Sequence, residues 1–290
     1  MKIHVRAPAT TANIGPGFDC AAAALDLWNE AWIDDAGELS VANEGEGAGE
    51  LPDDDSHLSL RAFALFADPS RYRFRFLNRI PLERGLGSSA AAVALGLVAG
   101  VAAAGGDVDS GHLLAAGEPF EGHTDNLAAA LNGGICVSWR EGGRPRARRI
   151  AGELPLEPVL AVPGTRTNTH ASRSTLPDSV SHADATQNAV SATLLGAAVA
   201  LGDADLLAAS FVDRLHERYR SESAPLLEAI RSAPPDGARG VTLSGSGPSV
   251  VVWADRNCSA RVAEALRRTT PDDTTVLPLA VAREGARVTP

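Results

Sequence analysis

The chain is 290 residues long, 44% hydrophobic and 21% charged, which suits one large or two modest globular domains with ample core. Its formal charge of −10 works against non-specific nucleic-acid binding, and no apolar run is long enough to span a membrane. Lys2 is the only lysine, so a P-loop lysine and a protein-kinase strand lysine are both excluded.

Any phosphate must therefore be held by backbone N–H groups, hydroxyls, arginine or a metal. The amino terminus lacks a charged-then-apolar signal pattern. Three scattered cysteines, Cys20, Cys136 and Cys258, show no metal spacing. Both features point to a reducing cytoplasm.

Residues 2–6 alternate as a strand, with Ile3 and Val5 on one face. A long loop is expected over residues 7–19, rich in Gly, Pro, Thr and Asn. Tightly punctuated loops of that length tend to carry function. It offers Asn13, Asp19 and the hydroxyls of Thr10 and Thr11 to a small polar substrate. Strands follow over 20–27 and 30–34, with a bend at Trp28-Asn29, and another over 38–43. Residues 44–55 read as an acidic, solvated loop. Ser56 is placed to cap a helix over 57–67. In residues 71–78, Tyr72, Phe74 and Phe76 alternate with Arg71, Arg73 and Arg75, the pattern of a half-exposed strand.

The stretch Pro81-Leu82-Glu83-Arg84-Gly85-Leu86-Gly87-Ser88-Ser89-Ala90 leads into an alanine-rich helix expected to run to about Ala104. Glycines let backbone approach a ligand, and Ser88 or Ser89 can cap the helix. The exposed N–H groups and positive dipole end of that helix make a phosphate seat, or simply a capped helix. A dinucleotide fingerprint is set aside, because Pro81–Arg84 separates the glycines from any strand. Helices are expected over 110–120 and from Thr124 or Asp125 to Gly133, then a strand over 135–139 and a polar hairpin over 141–149.

Two prolines in residues 154–158 mark a domain seam, giving domains 1–153 and 154–290. A buried strand covers 159–162, and a short helix over 169–176 carries Arg173. Helices are expected over 184–201, 203–219 and 226–231. Ser244-Gly245-Ser246-Gly247-Pro248 is a tight loop between two strands, and a helix over 259–268 precedes a final strand over 274–283. That order suits an antiparallel sheet with helices on one face, an α+β class.

Three segments together resemble the motifs of the GHMP small-molecule kinases: Pro8 to Asp19, Pro81 to Ala92, and Ser244 to Pro248. The form of the first, with Glu121-Gly122-His123-Thr124-Asp125-Asn126, is similar to the homoserine kinases within that superfamily. The resemblance implies an α+β fold of two parts. An N-terminal domain of ribosomal-protein-S5-like type holds a left-handed βαβ crossover, and a ferredoxin-like C-terminal domain packs against it.

It further implies ATP-dependent phosphorylation of the side-chain hydroxyl of L-homoserine, on the way to threonine, with ATP and Mg²⁺ as cofactors. Another GHMP kinase, acting on a mevalonate- or shikimate-like metabolite, or a non-catalytic binding homologue is the alternative. Pro81, Arg84, Gly85, Leu86, Gly87, Ser88, Ser89 and Ala90 would wrap the ATP phosphates, and Ser89 and Glu121 would hold Mg²⁺. Asn13, Asp19 and Asn126 would hold the amino and hydroxyl ends of homoserine. Arg173 and Arg220 would clamp its carboxylate, with Thr169 nearby and Arg218 as the rival to Arg220. Gly245, Ser246 and Gly247 would close the cleft. Nucleic-acid and membrane partners are not implied, and a homodimer is left open.

Those roles agree with elementary chemistry. An amino acid needs an acid for its ammonium and arginine for its carboxylate. Phosphoryl transfer needs positioning and electrostatics more than covalent help. Asparagine cannot accept a proton, so Asn126 implies direct transfer without a dedicated base, with Asp125 either a rival base or a helix cap.

Overall fold

Alternation ends at Arg6, yet in the structure, a computed structural model that describes residues 2–167 and 169–289, the first strand continues to Asn13. This strand, β1 (Lys2–Asn13), is buried without interruption from Ala7 onward. A strand covered on both faces has no reason to alternate. The expected loop shrinks to a tight turn over residues 14–16, after which β2 (Gly17–Asp35) returns antiparallel to β1. The bend expected at Trp28-Asn29 is a register shift within this one strand: Ala9 faces Leu25 while Pro8 faces Trp28. The extra residues sit opposite Pro8, which has no N–H for the ladder.

β4 (Tyr72–Asn78) pairs antiparallel with β2 and parallel with β3 (Ser40–Gly45). Its three aromatics are buried and its arginines exposed, as alternation requires. The hairpin of β5 (Ile135–Glu141) and β6 (Arg144–Ala151) joins the first part of β2. Short helix α1 (Leu58–Phe63) packs on α2 (Ser88–Ala103), which is buried almost all round. α3 (Ser110–Glu121) and α4 (Asp125–Asn132) complete this layer. Ser56 does not cap α1. The His57 imidazole does, with Nδ1 accepting from Ser59 N (3.2 Å), while the Ser56 hydroxyl donates to Asp54.

The second sheet has the order β10-β7-β9-β8 and is antiparallel throughout: β7 (Glu157–Val162), β8 (Ala238–Leu243), β9 (Val250–Ala254) and β10 (Thr275–Pro278). With helices between β7 and β8 and α9 (Ser259–Thr269) between β9 and β10, this is the ferredoxin-like order. One face packs under α8 (Pro225–Ser232) and α9, while Leu160, Val251 and Trp253 on the other join the core of the first sheet.

Between β7 and β8 lie α5 (Thr169–Ser174), α6 (His182–Leu201) and α7 (Ala204–Ser210). α7 ends far short of the expected Tyr219. The Asp213 carboxylate accepts from the backbone N–H of Leu215, His216 and Glu217, which starts a separate 3₁₀ turn over Glu217–Ser223. The expected last strand is likewise divided. β10 stops at Pro278, residues 279–286 cross back, and β11 (Arg287–Thr289) pairs with β1. Among the described residues, no helix is long and apolar enough to cross a membrane.

Candidate active site

The loop ahead of α2 is pinned from two sides. Thr10 N donates to Leu86 O (3.0 Å), and Ser244 Oγ donates to Gly85 O (2.7 Å). Gly245 N donates to Ala12 O (3.2 Å), and Asn13 Nδ2 to Gly245 O (2.9 Å). The three punctuated segments thus close on one another beside a cleft of about 570 Å³.

Gly87 occupies the N-cap of α2 at φ +63°, and no side chain caps the helix; neither Ser88 nor Ser89 does so. A Cβ at Gly87 would stand 1.9 Å from Thr10 Oγ1, so only glycine fits. The first N–H groups of α2 have no intrahelical acceptor. They open beside cleft residues Gly85, Gly87, Ser88 and Ser89, where helix dipole and backbone donors favour an anion.

The Ser89 hydroxyl donates to the Glu121 carboxylate at the end of α3. Burial pushes the Glu121 carboxyl up, offset in part by that hydrogen bond and by the charge of His123. A hydroxyl beside a partly desolvated carboxylate is a hard-oxygen donor pair that fits Mg²⁺. Among the described residues, no three His, Cys, Asp or Glu side chains could hold a metal together. An ion here would take its other ligands from phosphate and water.

The charged end of the cleft is built on Phe18. Arg173 and Arg220 both place their guanidinium groups over its ring, at 5.6 and 5.5 Å. Arg173 forms a two-pronged ion pair with Asp19 (2.7 and 2.9 Å), which raises the arginine further above its ordinary value. Arg220 is buried, and its contacts are neutral: Nη1 donates to His216 Nδ1 (3.1 Å) and Gly245 O (3.3 Å), and Nε to Ser172 O (3.5 Å). Burial first, then the charge of Arg173, lowers its pKa, yet arginine stays protonated. A buried cation held by neutral acceptors is a seat for a carboxylate. Arg218 lies elsewhere, exposed on Asp184 (3.0 Å).

At the opposite wall, Asn126 of α4 lines the cleft. Asp125 is buried, and its Oδ1 accepts from Asn126 N (2.7 Å) and pairs with His123 Nδ1 (2.8 Å). That hydrogen bond is the main cause of a raised His123 pKa.

Of the residues expected from sequence, Asn13, Asp19, Gly85, Gly87, Ser88, Ser89, Glu121, Asn126, Arg173, Arg220, Gly245 and Ser246 line the cleft. Pro81, Arg84, Leu86, Ala90 and Gly247 are not among its lining residues. Leu86 and Ala90 are buried beneath the loop. Arg84 braces it from behind, donating to Pro163 O (2.9 Å) and Gly164 O (2.8 Å). Gly247 N donates to Ser244 O (2.9 Å) inside its own turn. The side chain of Thr169 lies outside the described residues.

Thr10 and Thr11 are buried, and they bond to Asn126 and Ser244 rather than facing the cleft. Sequence reasoning missed Phe18 as the shelf for both arginines, although it stands within the first motif. It also missed His216, whose Nε2–H donates to Gly15 O (2.9 Å) so that Nδ1 can accept from Arg220.

The family profile for the GHMP kinases N terminal domain matches residues 57–134, and that for GHMP kinases C terminal matches residues 189–272. A homoserine kinase of Moorella thermoacetica is 41% identical over 257 residues, 86% of each chain. One from Streptomyces coelicolor is 40% identical over 305 aligned residues, covering 97% of this chain and 96% of its own. The crystal structure of a homoserine kinase from Cytophaga hutchinsonii superposes with a TM-score of 0.86 at 24% identity, covering 99% of this chain and 97% of its own.

Proposed function

The chain belongs to the GHMP kinases, in their homoserine kinase branch, and we infer from that membership and from its cleft that it transfers the γ-phosphoryl group of ATP to the side-chain hydroxyl of L-homoserine. The product is O-phospho-L-homoserine, a step towards threonine. One observation carries the assignment to this cleft. A helix N-terminus without a side-chain cap shares it with Arg173, Arg220 and Asp19, the charges that a zwitterion requires.

Gly85, Gly87, Ser88 and Ser89 receive the phosphates through backbone N–H groups, and Ser89 and Glu121 would hold Mg²⁺. The ion, when bound, offsets charge on the phosphate oxygens. Asp19 and Asn13 take the substrate ammonium, while Arg173 and Arg220 take its carboxylate. Asp19 and Arg173 already neutralise each other. An incoming zwitterion exchanges one ion pair for two and brings a carboxylate to Arg220, whose own contacts are neutral, whereas an uncharged alcohol gains nothing from separating Asp19 and Arg173.

Asn126 holds the reacting hydroxyl. Its amide takes no proton, and Asp125 Oδ1 already accepts from His123 and the Asn126 backbone. On this reading the hydroxyl proton leaves to phosphate or water, and transfer is direct.

The test is a coupled assay of ADP release with L-homoserine, L-threonine, mevalonate and shikimate offered separately. Homoserine should give turnover well above the others. No ADP release with homoserine would sink the assignment.

A further inference from the structure

We propose that Thr10 is a positioning residue for phosphoryl transfer: from β1 it holds the Asn126 amide in the orientation in which an N–H rather than the carbonyl oxygen meets the reacting hydroxyl. This rests on the homoserine kinase assignment and deepens it.

The Thr10 side chain is fully buried and is not among the cleft-lining residues. Its Oγ1–H donates to Asn126 Oδ1 at 2.6 Å, across 116 residues of sequence. On the other side of the amide, Asn126 Nδ2 faces Asp125 Oδ1 at 3.4 Å. Turning the amide over would set its carbonyl oxygen against the Asp125 carboxylate, acceptor against acceptor. A hydroxyl can also accept, so the acceptor-only Asp125 carboxylate selects the orientation and the hydrogen bond from Thr10 holds the amide in it. The His123–Asp125 pair acts in the same sense by fixing the carboxylate (2.8 Å).

Thr10 also touches the phosphate loop. Its backbone N–H donates to Leu86 O (3.0 Å), and Gly87 is packed so closely that a Cβ there would sit 1.9 Å from Thr10 Oγ1 and 3.0 Å from Asn126 Oδ1. One residue therefore ties the loop that receives phosphate to the amide that holds the acceptor hydroxyl. Near-attack geometry depends on that spacing. With its N–H directed at the hydroxyl oxygen, Asn126 leaves the hydroxyl proton free to leave elsewhere, as direct transfer requires.

The experiment compares Thr10→Val, which keeps the shape and removes the donor, with Thr10→Ser, which keeps the donor. Thr10→Val should lower kcat roughly 10- to 100-fold, with KM for homoserine and for ATP changed less than about threefold. Thr10→Ser should restore kcat to within a few-fold of the wild type. In an Asn126→Ala background Thr10→Val should cost nothing further, because the two act as a unit. If Thr10→Val does not fold, Thr10→Ala takes its place, with thermal unfolding confirming the fold.

Wild-type kcat in the hydroxyl-less variant would overturn the proposal. So would an equal loss with and without the Asn126 side chain, which is what a merely structural role predicts. Absence of homoserine turnover in the wild type overturns the functional assignment and this proposal with it. Homoserine turnover with an unimpaired Thr10→Val overturns the role of Thr10 alone.

Discussion

Gly85 has a left-handed backbone, φ +75°, and a Cβ added there would lie 2.1 Å from Ser244 O and 2.9 Å from Gly247 O. Both neighbours are backbone, so no rotamer change can make room. Gly85→Ala must push the phosphate loop off the 244–247 turn. We expect KM for ATP to rise and kcat to fall, together at least about tenfold in kcat/KM, in steady-state kinetics with ATP varied. Unchanged kinetics would mean that the contact between the two loops is dispensable. The glycine and serine spacing at this loop was legible in sequence because those residue types state a backbone need. Thr10 was legible as a polar residue but not in its role: its hydroxyl reads as facing substrate, because a buried threonine in a strand carries no periodic mark and its partner is 116 residues away. Arg84 misled for a related reason: a cation beside a phosphate loop invites a phosphate, but all three of its nitrogens donate to the backbone carbonyls of Leu82, Pro163 and Gly164.

α1 depends on an imidazole that cannot accept a proton without losing its role. His57 Nδ1 accepts from Ser59 N, Nε2–H donates to Asn43 Oδ1 (3.2 Å), and the ring stacks on Phe76 (4.4 Å between centroids). Burial pushes its pKa from 6.5 down to about 4. In the unfolded chain His57 takes up a proton near pH 6.5, while the folded chain resists until about pH 4. Stability linked to this group is therefore present above 6.5 and is lost as pH falls towards 4, by about 2 kcal/mol at pH 5. The neutral variant His57→Asn keeps a cap acceptor and should lose that much less stability between pH 7.5 and 5, read from urea midpoints. Parallel losses in the two proteins would remove His57 as the cause. The His123–Asp125 pair has the opposite sign. Its raised histidine pKa means stability present below 6.5 and lost as pH rises through the folded value. Sequence placed the cap of α1 on Ser56 because hydroxyls are the usual caps; only the packing on Phe76 makes an imidazole the better one here.

The chain's last residues return to hold the wall that carries Asn126. After β10, Ala280 O accepts from Asp26 N (2.9 Å), Ala282 N donates to Ala24 O (2.9 Å), Gly134 N donates to Ala282 O (2.7 Å) and Ala286 N donates to Ala130 O (2.7 Å). β11 then pairs with β1, setting Thr289 opposite His4. The strap thus leaves the second sheet, fastens the end of α4 and finishes on the strand that carries Thr10. Sequence showed a strand of ten residues here because the apolar run is continuous. Pairing with several partners in turn leaves no pattern that one strand would not also leave. At about 1 kcal/mol per backbone hydrogen bond, less the entropy returned by a freed tail, the strap contributes about 2–4 kcal/mol. A chain ending at Pro278 should accordingly melt roughly 3–7 °C lower. It should also lose kcat more than it gains KM for either substrate, because α4 and β1 loosen against each other while the phosphate loop and the arginines stay in place. Differential scanning calorimetry and steady-state kinetics on the truncated chain decide it. A lowered Tm with unchanged kcat would confine the strap to stability and detach it from the placement of Asn126.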